Sequence, residues 1–336
     1  MAAAAETAPE PAPAAPQAEA WEEPIPNYEN LTVIGRGVSG VVLRGKSVRF
    51  SRDCALKLIA PDLAANPGAT ERFFNEARLT ARQRHPRLAR GIDCGRSGRW
   101  FYYAMEYVRG ESVRAKLDRL QSHKLKEVET LRLLRQALDA LQYIYGQSLL
   151  HYDLKPNNLV IRPDGDLKIV DFGVAKDLAF PSFAAWTQAN AAYVAPEQAR
   201  GENPDVRSVI YTLGCTWYEM LCGAPPCVGA SPSATLMAQI NDEPVPMAER
   251  EPKVSLATGQ LLQWMLAKDR DKRPRNPQQL LAKMLTHPLV KLELEKEADA
   301  KAAAAYAPAA PKGDDDDLLH DSVLEELGLE SDAPGE

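Results

Sequence analysis

Nowhere in this sequence do apolar residues run for the roughly 20 positions that a bilayer-crossing helix needs, so no membrane span is expected. Basic residues are missing from the N-terminus: residues 1–26 hold no Lys or Arg. The opening MAAAAETAPE also puts proline where a signal peptide would have its apolar stretch. The expectation is a cytoplasmic protein. Cysteine is sparse. Cys54, Cys94, Cys215, Cys222 and Cys227 are odd in number and irregular in spacing, which excludes a disulfide framework. Cys222 and Cys227 have no histidine near them, which speaks against zinc. Five reduced thiols, most of them buried, are expected. No internal repeat is visible.

What is present is ordinary in bulk and uneven in placement. Hydrophobic residues at 45% and charged residues at 26% suit a globular chain, and 336 residues suffice for a sizeable core. The net charge of −6 conceals acidic ends. Residues 1–26 carry five Glu, and residues 289–336 carry fourteen acids against four Lys, which leaves +9 on the body between. Such a body suits the handling of phosphate. Its charge is spread too widely to point to nucleic acid.

Residues 1–26 are rich in Ala, Pro and Glu and are expected to be disordered. The acidic, Ala-rich tail 291–336 is expected to be disordered too, apart from one short amphipathic helix at 318–329. A sharper reading makes this tail a docking segment for the basic body or for a partner protein. Between the ends, Leu31–Ile34, Val41–Leu43, Cys54–Ile59 and Trp100–Val108 read as strands, and Ala69–Arg84 as a helix that stops before Pro86. From about Glu127 the pattern turns helical, with Leu131, Leu134, Leu138, Leu141 and Tyr145 marking one buried face. Leu159–Arg162 and Leu167–Val170 flank Pro163-Asp164-Gly165-Asp166, a hairpin with an Asp-Gly turn. A strand-rich first part and a helix-rich second part predict two lobes with a ligand cleft between them.

Four clusters carry chemistry. Gly35, Gly37 and Gly40, followed by Val42, form G-x-G-x-x-G-x-V between two strands. Glycines let backbone N–H groups approach phosphates, although the pattern alone also fits a plain hairpin turn. Lys57 lies in the apolar strand Cys54–Leu58 and needs either a partner or solvent; Glu76 in the next helix is the candidate. In His151-Tyr152-Asp153-Leu154-Lys155-Pro156-Asn157-Asn158, Asp153 can accept a proton from an attacking hydroxyl. Lys155 can neutralise developing charge, and Asn158 offers a neutral oxygen to Mg²⁺. Asp171 in Asp171-Phe172-Gly173 adds a carboxylate for the same metal, and the hairpin should bring it near Asn158.

In this order, and with Ala195-Pro196-Glu197 following, the motifs resemble those of protein kinases over about residues 27–290. The D-L-K-P form and Tyr193–Gly201 resemble the bacterial, eukaryotic-like serine/threonine type. The resemblance implies an α+β, bilobal fold, with an N-lobe at 27–108 and a C-lobe at 109–290. It implies ATP and Mg²⁺ as cofactors and Ser/Thr hydroxyls of proteins as acceptors. Lys57, held by Glu76, would position ATP. Backbone of Glu106 and Val108 would meet adenine, with Met105 behind it and Val42, Ala55 and Val160 sandwiching the ring. Glu197 and Arg273 would form a buried pair.

Three positions depart from the family pattern. Tyr152 replaces the Arg that anchors a phosphorylated activation loop, which predicts activity independent of Ser182 and Thr187. Val209 replaces an Asp that accepts amides of the catalytic loop, and Asn190 replaces a Thr that ties the substrate-binding segment to Asp153 and Lys155. None of the three touches ATP or metal. An ATP-binding pseudokinase or weakly active kinase serving as an interaction or regulatory module is therefore the alternative, and a small-molecule phosphotransferase is a more distant one.

Overall fold

The computed structural model describes residues 19–37, 40–59, 71, 74, 75, 77, 78, 81–151, 153–171, 187 and 190–305. Its first part is an antiparallel sheet of β1 (Tyr28–Gly37), β2 (Gly40–Ser47), β3 (Asp53–Ile59), β4 (Gly91–Ser97) and β5 (Trp100–Glu106), in the order β1-β2-β3-β5-β4. Strand alternation separates two faces. Val41, Leu43, Cys54, Leu56, Leu58, Tyr102 and Ala104 pack in one apolar cluster. Ala55, Ile59, Tyr103 and Met105 pack with Val42 in another, against the helical residues Phe74 and Ala77. Val42, Ala55 and Met105 therefore share one face.

A second sheet follows, with β6 (Glu111–Ser112), β7 (Leu159–Ile161) and β8 (Leu167–Ile169) in that order. The Asp-Gly turn forms as its sequence predicts: Gly165 has φ 83°, and Asp164 Oδ1 accepts from the amide of Asp166 at 3.0 Å. The remaining elements are α1 (Val113–Arg119), α2 (Glu127–Gly146), α3 (Pro196–Ala199), α4 (Val206–Cys222), α5 (Pro232–Asn241), α6 (Met247–Arg250), α7 (Leu256–Met265), α8 (Pro277–Met284) and α9 (Pro288–Ala305). Helix α4 is buried almost all round, and α2 and α7 pack against it. Along α2 the buried stripe runs through Leu131, Leu134, Leu138 and Leu141 to Ile144; Tyr145, expected on that face, is 43% exposed.

Structure continues past both expected ends of the body. Residues 19–26, read as disordered, lie on the first sheet. Trp21 donates its amide to Leu31 O (3.0 Å), and Val33 donates to Glu19 O (2.8 Å). The Trp21 ring meets Trp100 edge-on at 5.3 Å, and Ile25 is buried. At the other end, 291–305 continue α9 rather than a disordered tail. Val290 is buried there, and Glu297 pairs with Arg135 of α2 at 2.5 Å. The segment 318–329 lies outside the described residues. Cys54, Cys215, Cys222 and Cys227 are buried free thiols and Cys94 is half-buried. Burial pushes Cys54, Cys94 and Cys222 up to about 11. Among the described residues, no helix is long and apolar enough to cross a membrane.

Candidate active site

The glycine-rich turn closes the β1–β2 hairpin, with Gly37 opposite Gly40 and Gly35 opposite Val42. Gly40 has φ 141°, a conformation that residues with a Cβ rarely adopt. Val42 sits beside Lys57 across β2–β3, and Ala55 beside Met105 across β3–β5. Glu106 ends β5, and Val108 lies in the chain that leads from it to β6. The chain turns there at Gly110, where any Cβ would lie 2.3 Å from Ile161 O.

Lys57 Nζ donates to Asp171 Oδ1 at 2.7 Å, with the two side chains 15% and 25% exposed. Glu76, its expected partner, lies outside the described residues, as do Tyr152 and Phe172. Asp171 adopts φ 58°, an uncommon left-handed conformation for a residue with a Cβ. Such strain persists only where the surroundings fix it. Here Val170 donates to Asn158 O (2.9 Å), and Leu159 pairs with Ile169. These contacts bring the ends of the two loops together, so Asn158 and Asp171 leave the same end of the hairpin.

Three groups converge on Asp153. Lys155 Nζ contacts Oδ1 at 3.0 Å. Asn158 Nδ2 donates to Oδ2 at 2.8 Å and to the Asp153 carbonyl at 2.9 Å. The amide of Asp153 donates to His151 Nδ1 at 3.2 Å, which needs that ring nitrogen unprotonated. Burial pushes His151 down to about 4, against weaker opposing effects of Asp153 and Asp171, so the ring is neutral and only one of its nitrogens carries a proton.

Several contacts lie behind this loop. Asn190 Oδ1 accepts from Lys155 Nζ at 2.8 Å, so the amide keeps a tie to the loop. Val209 is buried in the helical core, and the Asp153 amide has its acceptor in His151 Nδ1. From α4, Thr216 Oγ1 donates to Leu154 O at 2.6 Å. Below, Arg273 holds Glu197 through two bonds of 2.7 and 2.9 Å, and Ser208 Oγ adds a third at 2.5 Å. Burial works against the charge on Glu197, but the Arg273 bonds outweigh it and hold the carboxyl below its usual range.

A protein kinase domain family matches residues 28–290. This chain belongs to the protein kinase family. Its two sheets and helical mass are the two lobes of the bilobal kinase fold. The serine/threonine-protein kinase PknB of Mycobacterium leprae is 32% identical over 264 residues, covering 76% of this chain and 42% of the relative. PknB of Mycolicibacterium smegmatis is 32% identical over 266 residues, with 77% and 42% covered. A probable serine/threonine-protein kinase of Streptomyces coelicolor is 33% identical over 254 residues, with 73% and 37% covered. The chain thus spans about two fifths of the length of these relatives.

Sequence reasoning missed several of the contacts around these loops. Thr216 carries no signal beyond its place on a buried helix. Glu219, buried on α4, accepts from Arg114 Nη1 and from Tyr193 Oη, each at 2.6 Å. Lys168, buried on β8, donates to both carboxylate oxygens of Glu106. A lysine inside the short apolar strand Leu167–Ile169 was the available clue.

Proposed function

We propose that the chain is a protein serine/threonine kinase, using ATP and Mg²⁺. The observation that carries this reading is the convergence of Lys155 and Asn158 on one carboxylate, Asp153, beside the Lys57–Asp171 pair. The acceptor hydroxyl oxygen attacks the γ-phosphorus, and the bond to the bridging oxygen of ADP breaks. The hydroxyl proton passes to Asp153, while Lys155 balances charge on the moving phosphoryl group. Lys57 orients the α- and β-phosphates, and the glycine-rich turn covers them. Val42, Ala55 and Val160 flank the adenine, Met105 backs it, and Glu106 and Val108 offer backbone contacts.

The donor set suits the metal, because Asn158 and Asp171 bring hard oxygen ligands from adjoining loops and Mg²⁺ prefers oxygen. When bound, Mg²⁺ would neutralise phosphate charge. We assign the catalytic unit to residues 19–305, so that the N-terminal segment and α9 are included. The acidic tail beyond it is proposed to dock on the basic body. Truncation after Ala305 tests that docking, through a change in activity or partner binding.

Transfer of labelled phosphate from ATP to Ser- and Thr-containing peptides is the test of the main reading. Transfer to peptides and none to small alcohols is expected. Transfer to alcohols alone, or to neither, overturns it.

A further inference from the structure

Lys168 is a buried ammonium with a defined task to explain. Its strand neighbours Leu167 and Ile169 belong to the helical core, so alternation turns Lys168 to the opposite face. There its cross-strand partner is Val160, and directly paired residues project on the same side. Lys168 is 9% exposed, and it reaches both carboxylate oxygens of Glu106, where β5 ends. The amide of Arg90 also approaches Glu106 Oε2, at 3.4 Å.

Backbone contacts complete a closed ring around this pair. Glu106 donates its amide to Arg90 O at 2.8 Å, Ala89 donates to Ile169 O at 2.9 Å, and Ile169 donates to Arg87 O at 2.8 Å. The ring runs from β8 through residues 87–90 to the end of β5 and back through the ion pair. Two residues beyond Ile169 stands Asp171, which holds Lys57.

Stability alone does not call for such a pair. Burying an ammonium costs several kcal/mol, and an apolar pair of similar volume is often as stable. What an ion pair adds is orientation. We infer that Lys168 is a positioning residue that fixes the Glu106 peptide against the six-substituent of the purine, and so sets the preference for adenine over guanine nucleotides. This rests on the proposed placement of the base between Val42, Ala55 and Val160.

The test uses the full chain and its variants Lys168→Met, Lys168→Arg and Ala55→Trp, with Mg-ATP and Mg-GTP. Methionine keeps the volume, and Glu106 is 30% exposed in its side chain, so water can take over once the ammonium is gone. Lys168→Met is expected to raise KM for ATP about five- to tenfold with kcat within about twofold. KM for GTP should change less than about twofold, so that the preference narrows, and Lys168→Arg should restore most of it. Ala55→Trp fills the proposed base site and should abolish binding of both nucleotides. Unchanged KM in Lys168→Met, or equal loss for both nucleotides, overturns the inference while Ala55→Trp still blocks binding. If Ala55→Trp binds ATP normally, the base lies elsewhere, and the placement falls together with the inference. Should Lys168→Met fail to fold, Lys168→Arg matching the wild type beside Glu106→Gln with a narrowed preference supports it, and Glu106→Gln with an unchanged preference overturns it.

Discussion

Arg273–Glu197 and Lys57–Asp171 are both contacts of opposite charge at 2.7 Å, yet they are built differently. All five N–H donors of Arg273 are met: two bonds go to Glu197, and the others to the carbonyls of Ala267, Arg207 and Lys268. Both side chains there are 0–1% exposed. Lys57 and Asp171 are 15% and 25% exposed. The first pair is closed to exchange. The second is open to water, at the place where the proposed function puts phosphate and metal. The difference teaches that two contacts of equal length can differ in burial, and that the buried one is the one expected to act as a strut.

Breaking the strut should have the largest effect. Arg273→Ala leaves a buried carboxylate unpaired and should cost about 3–5 kcal/mol in denaturant unfolding. Replacing both partners by methionine should cost less than that single change. Lys57→Met comes next and sharpens the contrast. Peptide phosphorylation should fall about hundredfold or more, with unfolding free energy within about 1 kcal/mol of wild type.

Acid offers a graded version of the same comparison. Burial holds His151 down at about 4 against an ordinary 6.5, and His85 and His287 are shifted down by burial as well. Between pH 6.5 and 4 the unfolded chain therefore takes up protons that the folded chain refuses. Stability from these groups is complete above 6.5 and is lost as pH falls towards 4. Glu197, held low by Arg273, keeps its contribution further into acid. Unfolding followed between pH 7 and 4 should show this loss, and His151→Asn should flatten it. The smallest effect is expected where no anchor exists. With Tyr152 ahead of Asp153, Ser182→Ala/Thr187→Ala should keep kinetics within about twofold of wild type.

Much of the site was legible because its chemistry is local in sequence. Asp153, Lys155 and Asn158 fall within six residues, whereas Val42, Ala55 and Met105, which pack in one cluster, were named by the kinase resemblance. The Glu197–Arg273 pair spans 76 residues, and only the kinase resemblance pointed to it. Lys168–Glu106 has no such guide, since nothing in a short apolar strand names a partner 62 residues away. Strand β4 was missed because Gly91, Asp93, Gly95 and Arg96 break its alternation. The segment 19–26 was lost in Ala/Pro-rich composition, where Trp21 and Ile25 are the few apolar anchors. Helix α9 was cut at 290 because its Ala and charged residues read as a tail. Asn190 and Val209 looked like losses because substitution shows the missing group. The bond from Lys155 to Asn190 exists only in three dimensions.

The central claim is that Asp153 takes the hydroxyl proton in a working kinase site. Incorporation of phosphate from Mg-ATP into the protein or a Ser/Thr peptide, measured beside Asp153→Asn, tests it most directly. Wild type should incorporate phosphate, and the variant should do so about 10²- to 10⁴-fold more slowly while ATP still raises its melting temperature. Equal incorporation by the two proteins would contradict the account, as would ATP-stabilised wild type that transfers no phosphate at all.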